Sequence, residues 1–185
     1  NNIAYVGVKN GISDIYVSKI NGENTVKITD DRYDDNEPVF SPDGKDILYV
    51  SERENNRNLF IVNDFLNDKK EIKPVLQGNS NIISPCYSSE GNIIFTADFD
   101  KFYNLYILNN ETKKIHKITD VRGGIFSPEI SPDGKSIVFS YYEQSCYNIY
   151  IMNAPKIDNL KTIEIDKNTT SRFESTHLGS QLSGV

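Results

Sequence analysis

Four times in this chain an apolar strand start is followed twelve residues later by another: Ile3 and Ile15, Ile47 and Leu59, Ile93 and Leu105, Ile137 and Ile149. The first members of these pairs recur every 44 to 46 residues. That is the period of a propeller blade rather than of a helical repeat. Units this short cannot each bury a core of their own, so they must stack on one another, around an axis or along a solenoid. The repeat constrains architecture far more than activity, because such scaffolds host many functions.

Composition agrees with an all-β chain. Eleven Tyr and nine Phe, together with abundant Ile and Val, favour strands, and the 37% hydrophobic content of the 185 residues is enough for a packed core. The net charge of −6, with scattered Lys and Arg, opposes general nucleic-acid binding, which needs a basic face. Cys86 and Cys146 form no CxxC pair and no framework, which leaves a single bridge as one alternative. The apolar runs fall well short of the roughly 20 residues that span a bilayer. A start at Asn1 without methionine is read as a mature or trimmed product.

Each unit is expected to hold four strands, a to d, running outward. Strand a carries a proline: Pro38–Phe40, Pro85–Tyr87 and Pro128–Ile130. Ser41-Pro42-Asp43-Gly44 and Ser131-Pro132-Asp133-Gly134 then fit type I turns, and Ser88-Ser89-Glu90-Gly91 keeps the Ser and Gly. Strand b (Ile47–Ser51, Ile93–Ala97, Ile137–Tyr141) is almost continuously apolar, as a strand covered on both faces must be. Strand c (Leu59–Val62, Leu105–Leu108, Ile149–Met152) follows a polar loop. Strand d (Val26–Thr29, Ile72–Leu76, Ile115–Thr119, Thr162–Ile165) alternates like an outer strand with one wet face. The first unit begins at strand b, with Ile3–Gly7. The expected fold is therefore an all-β propeller of four blades of four antiparallel strands over residues 1–170. Residues 171–185 form a tail in which Phe173–Leu178 either completes the first blade and closes the ring or forms a flexible end.

Ile28-Thr29-Asp30, Glu37-Pro38-Val39-Phe40-Ser41-Pro42-Asp43-Gly44-Lys45, Ile47–Arg53 and Asn58–Asn63 resemble the WD40-like (PD40) repeat of the TolB propeller family. A second copy runs from Ile118-Thr119-Asp120 through Ser131–Lys135 to Ile149–Asn153. The likeness spans most of the chain and departs in blade number, since TolB-like propellers have six or more. It implies a β-propeller and, by analogy, an extracytoplasmic (periplasmic, secreted or cell-surface) module that binds a protein or peptide. Similar repeats also build the gating propeller of prolyl-oligopeptidase-type peptidases and a family of oligogalacturonate lyases. These remain as the alternative readings.

No Gly-x-Ser-x-Gly elbow is present, and His116 and His177 read as incidental surface residues, so no catalytic residue and no cofactor is assigned. The acidic stretch Asp30, Asp31, Asp34, Asp35, Glu37 and the weaker pair Asp98 and Asp100 read as solvated loops rather than metal sites, since their spacing matches no calcium loop. Strand alternation places the d-to-a and b-to-c loops on one face, opposite the Ser-Pro-Asp-Gly turns. That face would present Arg32, Tyr33, Arg53, Arg57, Phe99, Phe102, Tyr103, Arg122, Tyr141, Tyr142 and Tyr147. Tyr and Arg join contact area to a polar end and favour partner binding. The oligomeric state is left open.

Overall fold

The computed structural model describes residues 2–67 and 70–164. These residues fold into four antiparallel sheets, with one turn of 3₁₀ helix at Ile157–Asn159. The first sheet is β1 (Asn2–Lys9), β2 (Ile12–Lys19) and β3 (Val26–Lys27), in that order. The second is β4 (Asp34–Phe40), β5 (Ile47–Arg53), β6 (Asn56–Asn63) and β7 (Glu71–Leu76). The third contains β8 (Ile82–Tyr87), β9 (Ile93–Ala97), β10 (Asn104–Leu108) and β11 (Ile115–Lys117); the fourth is β12 (Ile125–Ile130), β13 (Ser136–Glu143) and β14 (Cys146–Asn153). The last strand, β15 (Lys161–Ile163), joins the outer edge of the third sheet.

Period-two alternation in strands b and c gives each sheet a front and a back face, and each back packs on the next front. Ile15 and Val17 meet Ile47, Tyr49, Phe60 and Val62. Leu48, Val50 and Leu59 meet Ile93, Phe95 and Tyr106. Ile94, Leu105 and Ile107 meet Ile137, with Phe139 and Met152 beside them. The inner strands β4, β8 and β12 touch in sequence. The sheets thus form an open array in which strand a lines the inside.

The a-to-b turns form as the sequence predicts. Gly44 and Gly134 take φ +71° and +70°, and each donates its N–H to the Ser carbonyl three residues earlier at 2.8 Å. The Ser41 and Ser131 hydroxyls donate to Asp43 and Asp133 at 2.6 Å while accepting the N–H of Asp46 and Ser136 at 3.0 Å. Strand a is longer than expected, because its proline sits at a bulge inside the strand. Glu37, Ser84 and Ser127, each just before that proline, adopt φ near +50°, at 53°, 51° and 50°. The bulge accommodates a residue that has no N–H to give to the ladder.

Two expectations are corrected. The polar loop expected between strands b and c is a two-residue turn in three of the four sheets. Asn10-Gly11, Glu54-Asn55 and Gln144-Ser145 make two-residue turns with both φ values positive, the mirror-type turn whose twist suits a hairpin. Pairing therefore runs on through the polar residues between b and c, and β9–β10 alone keeps a broader loop. The outer strand predicted at Thr162–Ile165 for the fourth unit does not pair with β14. Ala154, Ile157 and Leu160 pack beside the core between the third and fourth sheets and carry the chain back to β11, where Ile163 pairs with Ile115. The fourth sheet consequently has three strands, as the first does, and the third has five. The ring-closing segment Phe173–Leu178 and the 171–185 tail lie outside the described residues, among which the sheets do not close on one another.

Candidate recognition surface

A polar latch repeated in the first and third sheets fixes their ends where the b-to-c turns emerge. In the first and third sheets the Thr of Ile-Thr-Asp accepts the N–H of the strand-c residue: Ile15 to Thr29 at 3.0 Å and Leu105 to Thr119 at 2.9 Å. Lys27 pairs with Asp14 at 2.7 Å and with Asp30 at 2.5 Å; the equivalent Lys117 pairs with Asp120 at 2.6 Å and with Asp100. Asn104 adds hydrogen bonds that hold the segment leading to β12, accepting from Val121 N–H at 2.8 Å and from the Thr119 hydroxyl at 3.0 Å. Backbone held this way loses little conformational freedom when its exposed side chains meet a partner.

Arg32, Tyr33 and Arg53 come together between the first and second sheets. The Arg53 guanidinium lies over the Phe60 ring at 3.9 Å and over the Tyr33 ring at 4.4 Å, and Arg32 covers Tyr33 at 5.2 Å. Arg53 Nε donates to Ser51 Oγ at 3.0 Å and Nη2 to Asp31 Oδ2 at 3.3 Å. Stacking on two rings and bonding to a carboxylate locks a side chain that would otherwise be mobile. A groove of about 650 Å³ runs beside it, lined by Tyr33, Arg53, Asn56, Pro74 and Gln77. Arg57, by contrast, pairs with Glu52 across the hairpin at 3.6 Å.

A second group forms on the third and fourth sheets. Tyr103 packs on Phe126 with ring centroids 5.3 Å apart, Phe126 on Tyr147 at 5.9 Å, and Tyr147 on Tyr142 at 4.9 Å. Tyr147 and Tyr142 stay exposed. Tyr141 is not part of this group, because alternation turns it inward against Tyr150 and the core. Phe99 is likewise turned inward, packing on Phe95 and Tyr106. Phe102 and Arg122 are exposed and stand apart from both groups. Sequence reasoning missed Phe60, Asp31 and Phe126, which hold the selected residues in place. The strand-c position of Phe60, beside Leu59 in a repeated pattern, was the available signal.

The acidic stretch is dispersed among separate partners. Asp30 pairs with Lys27, Asp31 with Arg53, and Asp34 accepts both the N–H and the hydroxyl of Ser13 at 2.9 and 2.7 Å. Glu37 accepts the N–H of Ser84 on the neighbouring inner strand. Among the described residues no group of three or more such side chains converges on a metal position. Asp98 accepts from Asn81, and Asp100 is held by Lys117. His116 is buried rather than on the surface, since β15 covers its edge and the Thr162 hydroxyl lies 3.3 Å from its Nδ1. Cys86 is buried and Cys146 exposed, both as free thiols.

Asp35 was read as part of that acidic loop, yet it is fully buried. Its carboxylate oxygens meet no hydrogen-bond partner among the described residues, nor does the neighbouring Tyr49 hydroxyl. Burial pushes its pKa up to about 6, and the nearby Ser51 and Thr29 hydroxyls, though unbonded to it, offset only part of that rise. Register explains the anomaly: Asp35 pairs with Ser51 where Ile82 pairs with Ala97 and Ile125 with Tyr141, so a carboxylate occupies a position that is core isoleucine in the next two sheets.

The face carrying the Ser-Pro-Asp-Gly turns holds two inter-sheet grooves. One, of about 690 Å³, lies between the second and third sheets and is lined by Asp43, Pro74, Tyr87 and Lys113; the other, of about 560 Å³, lies between the third and fourth and is lined by Glu90, Ile107, Pro155 and Lys156. Short turns do not fill the wedge between twisted sheets.

No family model matches the chain. It is 28% identical over 138 residues to a protein named Protein TolB homolog from Chlorobium luteolum, covering 75% of this chain and 31% of that relative. It is 34% identical over 99 residues to the Tol-Pal system protein TolB of Francisella tularensis subsp. tularensis, covering 50% of this chain and 22% of that one. The chain thus spans under a third of the length of the curated relatives it matches. Among solved structures, putative TolB from Agrobacterium tumefaciens superposes with a TM-score of 0.72 at 22% identity, over 87% of this chain and 60% of that one. Puromycin hydrolase superposes with a TM-score of 0.63 at 14% identity, over 83% of this chain and 26% of that one, a likeness of fold alone. The chain is thus similar in sequence to TolB proteins over part of their length, and it shares the fold of TolB more closely than that of the hydrolase.

Proposed function

We propose that the chain is a non-enzymatic, extracytoplasmic recognition module, a four-bladed propeller segment that binds a protein or peptide at the end where the b-to-c turns emerge. The observation that carries this reading is the Arg53 clamp. A guanidinium fixed between Phe60 and Tyr33 and braced by Asp31 stands beside an open groove with part of its donor edge still accessible. A peptide carboxylate or backbone carbonyl entering the groove meets a donor whose orientation is already set. The exposed Tyr142 and Tyr147 supply apolar area with polar ends at the second group.

The relatives' name points to the proteins of a Tol-Pal system as first probes, Pal before the others. Titrating the purified chain with Pal by calorimetry should give saturable binding. Arg53→Ala and Tyr33→Ala should each weaken it roughly 30-fold, the size of a binding hot spot. Binding that both variants leave unchanged would show that the partner is met elsewhere, and the groove on the turn face becomes the next candidate.

A further inference from the structure

Tyr49, Ser51 and Arg53 alternate along the front of β5, and Asp35 joins them from β4, directly across from Ser51. The Ser51 hydroxyl accepts the Arg53 Nε–H at 3.0 Å, so one side chain links the buried carboxyl to the clamp. Having accepted one hydrogen bond, that hydroxyl still has its own proton to turn toward Asp35. The nearby Thr29 hydroxyl, which accepts the Ile15 N–H at 3.0 Å, is in the same position, and the Tyr49 hydroxyl meets no partner among the described residues. Hydroxyls donate to a carboxylate and accept from a carboxylic acid, so these surroundings serve either state of Asp35. A carboxyl that lowers stability where the next two sheets use core isoleucine points to a role outside packing.

Two charged groups act on the Asp35 carboxyl: Asp31, from the segment before β4, opposes its ionisation, and Arg53 of β5 favours it. Tyr49 stays a neutral phenol, since burial raises it further. The other titratable groups on β4 and the strands packed against it are engaged elsewhere. Asp34 accepts from Ser13, Glu37 from Ser84, Asp14 pairs with Lys27, and Glu52 with Arg57. Tyr16 stacks on Tyr5, Cys86 and Tyr87 pack in the cores flanking the third sheet, and Lys9 and Lys19 stand exposed at strand ends. With burial holding its pKa at about 6, Asp35 changes charge within the ordinary pH range.

We propose that Asp35 is a proton-controlled counter-charge for the Arg53 clamp. With the carboxyl neutral, the guanidinium faces the groove with Asp31 as its paired carboxylate. With the carboxyl ionised, a second negative charge draws on Arg53 from inside the sheet, so a partner's carboxylate is held less firmly. By linkage, a carboxylate bound to Arg53 makes Asp35 harder to ionise, and binding takes up protons. The consequence for binding rests on the recognition reading above, whereas the control of Arg53 does not.

The test follows the free chain and its complex separately. In NMR spectra of the isotope-labelled chain recorded between about pH 4.5 and 7.5, the Arg53 Nε–H resonance should shift with a midpoint of about 6, shared with the Asp35 carboxyl carbon. Asp35→Asn should leave the Arg53 resonance flat over the same range. Calorimetric titration with Pal should give wild-type binding roughly 10-fold tighter at about pH 5.5 than at about 7.5, and equal binding at the two values for Asp35→Asn. An Arg53 resonance that stays flat in the wild type, or that still titrates in Asp35→Asn, overturns the proposal. So does Pal binding of the wild type that ignores pH, or a pH dependence that Asp35→Asn keeps. If Pal binds neither protein, the recognition reading fails, and the Arg53 resonance alone decides the control. Should Asp35→Asn fail to fold, Asp35→Ser takes its place with the same expected outcomes.

Discussion

Replacing Asp35 by asparagine should make the protein more stable at neutral pH and change the shape of its stability curve. The carboxylate is fully buried without a hydrogen-bond partner among the described residues, and burial raises its pKa from an ordinary 3.8 to about 6. Below pH 4 it is protonated in both folded and unfolded chains and contributes nothing. As pH rises toward 6 the unfolded chain releases the proton first, so folding must hold a proton that the solvent favours removing, and stability falls. Above the folded-state pKa both forms are ionised and the loss levels off. At about 1.4 kcal/mol for each pH unit of the displacement, the full loss is roughly 3 kcal/mol. Urea unfolding at several pH values between about 4 and 8 measures it directly. The wild-type curve should drop relative to Asp35→Asn across the window from about 4 to 6 and run parallel to it above. Asp35→Ile, the residue that register places in the next two sheets, should show the same difference. A wild-type and Asn pair that differ by a constant amount throughout, or a wild type that gains on the variant as pH rises, would refute the reasoning.

Two further substitutions probe the scaffold. A Cβ at Gly123 would stand 1.9 Å from the carbonyl oxygen of Tyr142, so Gly123→Ala must push the β12 entry away from β13. It should cost about 1–3 kcal/mol, read as a lowered Tm. The Thr119 hydroxyl accepts the N–H of Leu105 at 2.9 Å and donates to Asn104 at 3.0 Å. Thr119→Val leaves both without that partner and should cost about 1–3 kcal/mol in urea unfolding with the slope unchanged.

The repeat made the sheet faces and the turn geometry legible, but not the strand count of the third and fourth sheets. Ser131, Asp133 and Gly134 need only local backbone preferences to form their turn, and local preferences can be read from a string. The b-to-c hairpins were misread because Glu54, Gln144 and Ser145 are uncommon at positive φ. Only the tertiary pairing of the flanking strands holds them there. Strand β15 was assigned to the wrong sheet for a similar reason: the alternation of Lys161, Thr162 and Ile163 reports one wet face, and gives no address for the partner edge. At the candidate site, charge and aromaticity identified Arg32, Tyr33 and Arg53 together. Tyr141 and Tyr142 are adjacent in sequence, and register alone decides which of them turns outward.

The return of β15 to β11 ties the last two sheets together covalently and by a ladder. The segment 154–160 crosses the seam between them, and Ala154 donates its N–H to Lys135 at 2.8 Å on the way. Opening that seam strips β15 from β11 or drags β14 with it, so the third and fourth sheets should behave as one cooperative block in hydrogen exchange. Among the described residues no comparable strap joins the first sheet to the second, so that sheet should exchange separately from the block. The Arg53 clamp, seated at the junction of the first and second sheets, is the part of the surface whose rigidity depends on that sheet.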